Sequence, residues 1–243
     1  KILRQIGGLF APGIGALFLI FFDKDYLILV SISFFILALI PLFSIRLDYM
    51  KPRGKQTLKQ FFKSKEEKIN FLSRGLFSLH STNELTLLPL FVFITFANIE
   101  AIGILPMIAA ISSIIFIYYI GELTDRFNHR ALILLGAISI AFVWILRIIF
   151  PQIGVFYIST LLMGLFSVLI AVPLDSQIIE RGRKTSILDT STYRNAFCMS
   201  SNVVLYGTLY VALEVFKISF AIAVFAMITL SLISGLMLSD KKH

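Results

Sequence analysis

The chain has 243 residues, of which 58% are hydrophobic and only 15% charged, and its mean hydropathy is +0.89. A soluble domain carries about 45–50% apolar and about 25% charged residues, so a water-soluble fold has nowhere to put 24 phenylalanines. The net charge of +8 does not point to nucleic acid, because the lysines and arginines sit in short segments between long apolar runs. A single cysteine, Cys198, excludes an internal disulfide and a cysteine-rich metal site.

A membrane-crossing helix needs about 20 mostly apolar residues. In chain order the sequence predicts such spans over residues 5–22, 26–45, 71–96, 102–120, 131–150, 153–172, 195–213 and 218–238. The breaks between them carry Asp23-Lys24-Asp25, Pro151-Gln152, Pro173, and Glu214 to Lys217. Helices are required because the bilayer has no water to satisfy loose backbone groups. The ten-residue alternation of a membrane barrel is absent from the sequence. The expected fold is therefore an all-α, polytopic transmembrane bundle of about eight spans. Because the chain opens at Lys1 almost inside an apolar run, its beginning reads as truncated rather than as a targeting peptide.

The basic residues set the expected orientation. One set of interhelical segments holds Lys1, Arg4, Arg46 through Lys68, Arg126, Arg130, Arg181, Arg183, Lys184, Arg194, Lys241 and Lys242; the alternate set holds Lys24, Arg147 and Lys217. The positive-inside rule places the first set, and both ends of the chain, in the cytoplasm, with the plasma (inner) membrane as the expected location. Within the segment 47–70, Lys55, Lys59 and Lys63 recur every four residues beside Leu58, Phe61 and Phe62. That pattern fits either an interfacial helix on anionic lipid headgroups or a solvated tether. The segment divides two spans, within 1–46, from six, within 71–243.

Ionisable groups deep in a span are functional candidates by default. The third span holds His80, Asn83 and Glu84, whose offsets of three and four put them on one helical face. Glu84 falls near the midplane as a lone carboxylate, with Pro89 able to bend the helix beyond it. Desolvation disfavours a charged carboxylate there, which suits a proton-binding step. Asn202 is deep enough to line a cavity, Arg147 is expected to snorkel to the headgroups, and Trp144 and Tyr118-Tyr119 fit interfacial or packing roles. Asp175, Asp189 and Arg194 gather around the segment before the seventh span as possible gate partners.

Residues 121–130 read Gly121-Glu122-Leu123-Thr124-Asp125-Arg126-Phe127-Asn128-His129-Arg130, in a short turn between two spans. Glycine lets helix ends approach closely, and Asp125 can accept from free amides at a helix start. Asn128 tolerates a left-handed turn. This stretch resembles the G-x-L-x-D-R-x-G-R-R loop of the major facilitator superfamily through Gly121, Leu123, Asp125, Arg126 and Arg130; Asn128 and His129 depart from it. The first span, around Gly7, Ala11, Pro12 and Gly15, resembles the glycine-and-proline signature of helix five in the family's proton-coupled antiporters, with Ala11 and Ala16 in place of glycines.

The resemblance implies that this chain covers helices five to twelve, with 47–70 as the central linker and the 121–130 loop as a cytoplasmic gate. It implies secondary active transport of a small solute by alternating access, with protons as possible coupling ion and antiport as the leaning. The alternatives are a non-transporting scaffold or sensor, and a membrane enzyme acting on a lipid-borne substrate. No enzymatic activity, cofactor, metal or nucleic acid is expected; the expected partners are a small-molecule substrate, protons and membrane lipids.

Overall fold

The computed structural model describes residues 24–44, 65–98, 100–184, 187–211 and 214–239, with 14, 15, 18, 21 and 22. Gly7, Ala11, Pro12 and most of the 47–70 segment lie outside the described residues. Among the described residues every regular element is helical. The helices are α1 (Lys24–Ser44), α2 (Lys65–Thr82), α3 (Leu88–Phe96), α4 (Glu100–Arg126), α5 (His129–Ile149), α6 (Ile153–Lys184), α7 (Ile187–Val211) and α8 (Val215–Ser239).

Four of them are long and apolar enough to cross a membrane, over Glu100–Ile117, His129–Ile149, Ile153–Arg183 and Val215–Leu238. Asp25–Ile40 is a shorter apolar stretch. α2 and α7 carry more polar residues, α2 opening on Lys65-Glu66-Glu67-Lys68 and α7 carrying Asp189, Arg194 and Asn195 in its first half, while α3 is apolar but only nine residues long. These apolar helices make the chain a membrane protein by character, since their outer faces expose residues such as Phe142, Ile158 and Phe225 that only lipid would solvate well.

Three features differ from the sequence expectation. The third span is not one helix bent at Pro89; α2 and α3 are separated by a π-helical turn, Asn83–Leu87. Proline near the start of α3 cannot return an N–H to the preceding turn, and the wider register takes up the mismatch. Secondly, Pro173 does not end a span: α6 runs through it to Lys184, so Asp175, Glu180 and Arg181 stand on a helix rather than in a loop. Thirdly, α2 begins at Lys65, inside the segment assigned to the linker.

The core lies where α2, α3, α5, α6 and α8 meet. Phe77, Leu88, Val92, Ile140, Trp144, Phe156, Met163 and Met227 are buried there. Phe91 sits edge-on to Phe156, Phe216 and Phe220 at centroid distances of 5.5, 5.2 and 5.1 Å, which closes the core towards the Phe96 end. α4 joins α6 by close backbone approach. A methyl at Gly164 would come 2.5 Å from the Ala109 carbonyl oxygen, and the Ser112 hydroxyl donates to the Leu161 carbonyl at 2.6 Å. Small residues allow this contact, as is usual where helices associate in lipid. Around Gly121 a methyl would meet nothing within 4 Å, so the close approach expected there is made at Gly164 instead.

Candidate functional site

The broken rod α2–α3 brings its polar residues to the middle of the bundle. Glu84, inside the π-helical turn, is paired with Arg147 of α5: Nη1 donates to Oε2 at 2.5 Å and Nη2 to Oε1 at 3.1 Å. Arg147 is fully buried, its guanidinium lying 4.8 Å from the Trp144 ring. Its Nε donates to Ser159 Oγ at 2.7 Å and its Nη2 also to Thr160 Oγ1 at 2.9 Å, both on α6. The bidentate fork and the two hydroxyls satisfy the charge where water is excluded.

Two expectations fall here. Glu84 is not a lone carboxylate, because a guanidinium lies alongside it. Arg147 does not snorkel, although it stands in the last turn of α5, because its acceptors lie inward on the π-helical turn and on α6. Of the two roles expected for Trp144, interfacial or packing, its burial in the core fits packing.

His80 is buried one turn before Glu84. Trp144 Nε1 donates to His80 Nδ1 at 3.0 Å, and His80 Nε2 meets Ser167 Oγ of α6 at 3.1 Å. Asn83 turns to the other side, bonded to Ser219 of α8 and donating through Nδ2 to the Leu79 carbonyl at 2.9 Å. Asn202 of α7 accepts from Thr82 Oγ1 at 2.9 Å and Ser78 Oγ at 3.3 Å. The three residues expected on one face are thus divided. His80 and Glu84 face a cavity of about 890 Å3 between α2–α3, α4 and α6, while Asn83 locks the turn to α8. Adjacent residues on an α-helix stand about 100° apart, and Asn83, the first residue of the π-helical turn, takes the α8 side while Glu84 takes the cavity side.

The motif around Gly121 spans the end of α4 and the start of α5. Asp125 and Arg126 close α4, and Leu123 is exposed. Asn128 is extended (φ −63°, ψ 122°) rather than left-handed, and its side chain accepts from the Arg130 N–H at 3.0 Å, capping α5. Arg130 is buried against Met237 of α8. Of the possible gate partners, Asp175 pairs with Arg74 of α2 at 3.0 Å, and Arg194 lies on Asn195 Oδ1. Asp189 stands in the first turn of α7, where a carboxylate suits the helix dipole. A second pair, Arg181–Glu67 at 3.0 Å, joins α6 to α2 at the same end of the bundle. Gly15 has open space around it.

Sequence reasoning missed Arg147, Trp144, Ser159, Thr160, Ser167 and Ser219 as site residues. One signal was available. Glu84 and Arg147 are opposite charges within apolar runs, and a buried charge is expected to find a partner. No family model, no curated protein and no solved structure matches the chain.

Proposed function

We propose that this chain is part of a secondary active transporter of the major facilitator type, contributing about eight spans, its helices five to twelve, to alternating-access transport of a small solute. The observation that carries the reading is the Glu84–Arg147 pair, closed inside apolar helices with Glu84 on the wall of an about 890 Å3 cavity. Charges in such a position cost about 2.5–3.5 kcal/mol each on insertion scales and mark solute or ion pathways. The cavity volume suits a small ligand. It stands beside a discontinuous helix, where transporters build midplane sites from freed backbone groups.

In this reading the chain sits in the plasma (inner) membrane with both ends cytoplasmic. The 121–130 loop forms a cytoplasmic gate that opens as the two bundles rock apart, while the pairs Arg74–Asp175 and Glu67–Arg181 join α2 to α6 and hold that end of the second bundle together. Protons drive an antiport cycle through Glu84: a proton arriving from the cavity neutralises the carboxylate and releases it from Arg147, and its departure restores the pair. The test uses the full-length protein in proteoliposomes under an imposed pH gradient, with proton release followed as solutes are added. Glu84→Gln keeps an oxygen for Arg147 but strands its charge, so the variant is expected to be less stable, and the expected loss of pH-driven flux is read on protein shown to be folded by its elution and Trp144 emission. An unchanged rate in that variant ends the coupling proposal, and no flux with the unaltered protein ends the transport reading.

A further inference from the structure

Trp144, His80 and Ser167 form a hydrogen-bond chain whose direction is forced from one end. An indole N–H donates and never accepts, so His80 Nδ1, 3.0 Å from Trp144 Nε1, is the unprotonated nitrogen of the ring. An imidazolium would set two N–H groups against each other. The ring is therefore neutral, with its one proton on Nε2, and that N–H donates to Ser167 Oγ at 3.1 Å. Ser167 lines the cavity. With its oxygen already receiving, it offers its own hydrogen there. The Ser81 and Ser113 hydroxyls differ, being committed to the carbonyls of Phe77 and Ala109.

The wall formed by the π-helical turn has the opposite character. The Leu88 N–H is given to the Asn83 carbonyl. Pro89 has no N–H to return to Leu85 in the α register or to Glu84 in the wider one. Both of those residues line the cavity, so at this wall the proline withholds the ladder donor that a main-chain carbonyl would otherwise receive. Charge is balanced throughout, because Glu84 is answered by Arg147 and His80 is neutral. Ile102, Pro106 and Met163 add apolar lining, and Thr86 adds one more hydroxyl on the wall of the π-helical turn.

We propose that this cavity takes an uncharged amphipathic solute carrying a hydrogen-bond acceptor and a donor side by side, as in a secondary amide. The acceptor meets the Ser167 hydroxyl and the donor meets the carbonyls of the π-helical turn. Trp144 is a positioning residue: acting through His80, it fixes Ser167 as a donor. The inference rests on the transport reading only in taking this cavity as the place where solute binds.

The test is nitrogen-15 NMR of histidine-labelled full-length protein in nanodiscs. The expected spectrum assigns His80 to the neutral Nε2–H tautomer. His80→Gln should preserve the chain, since its amide oxygen accepts from Trp144 and its amide N–H donates to Ser167, whereas His80→Leu should break it. N-methylbenzamide (donor and acceptor), N,N-dimethylbenzamide (acceptor alone) and benzylammonium (charged donor) are then titrated against the His80 Nε2 resonance. N-methylbenzamide should bind about tenfold more tightly than either of the others, and Ser167→Ala should remove about that factor. His80→Gln, followed through Trp144 emission, should keep the preference. An imidazolium or an Nδ1–H tautomer overturns the chain. Equal binding, tighter binding of benzylammonium, or no response to any probe overturns the solute class. The readout needs no flux, so a confirmed tautomer and probe order with no transport would sink the transport reading alone.

Discussion

Two sets of ion pairs tie α2 and its continuation to the helices around them, and they use the same residue types at similar distances. In the middle of the bundle, Glu84 and Arg147 are 6% and 0% exposed, and four hydrogen bonds hold the guanidinium. At the Lys65 end, Arg74–Asp175 and Arg181–Glu67 each measure 3.0 Å with exposures of 16% and 15%, and of 13% and 30%. There Arg74 lies over Phe77 and Arg181 over Phe71, while Arg74 Nη1 and Gln177 Oε1 are buried with no hydrogen-bond partner among the described residues. Distance does not rank these pairs. Surroundings do: the inner pair is enclosed and satisfied, so removing one partner strands a charge. The outer pairs are covered less completely, and Glu67, at 30% the most exposed of the four, is within reach of solvent and counter-ions that can take its place at lower cost.

The contrast can be broken most directly at Arg147. Arg147→Leu should destabilise the protein by about 3–5 kcal/mol, because Glu84 is left buried and unpaired. The double variant Glu84→Met, Arg147→Met should recover most of that loss. Both are read from thermal unfolding of the full-length protein in detergent, and a double variant as unstable as the single one would refute the stranded-charge argument. A smaller effect is expected at the α4–α6 contact. Gly164→Ala should cost about 1–3 kcal/mol through overpacking, whereas Gly121→Ala, with open space around it, should stay within about 0.5 kcal/mol. The smallest effect belongs to the outer pairs. Glu67→Gln should cost about 0.2–1 kcal/mol, a difference that shrinks as salt is raised. If Glu67→Gln proved as costly as Arg147→Leu, burial would not be what separates the two regions.

Helix positions were legible because long apolar runs admit one solution in lipid, and residues 24–44, 129–149 and 215–239 follow those runs closely. Glu84 and His80 were legible for the converse reason, as polar groups where none are cheap. What stayed hidden was relational. Glu84 and Arg147 are 63 residues apart, and an arginine near a helix end looks the same whether it reaches outwards to headgroups or inwards to an acid. Pro89 announced an interruption without saying whether the chain would bend or widen into a π turn. Pro173 announced a break that α6 does not make. The exposure of Leu123 and the open space at Gly121 likewise followed from packing, which spacing does not encode.

The length of α6 has a mechanical consequence. Its 32 residues make a shaft of about 48 Å, against about 30 Å of hydrocarbon, so its Lys184 end protrudes like a handle. The handle carries Asp175 and Arg181, and the shaft carries Ser159 and Thr160, which grip Arg147. Pro173 removes one rung of its hydrogen-bond ladder, between grip and handle, and so places the point of least stiffness there. Torque applied to the handle is borne by that joint first, and what passes it arrives as a twist on the guanidinium.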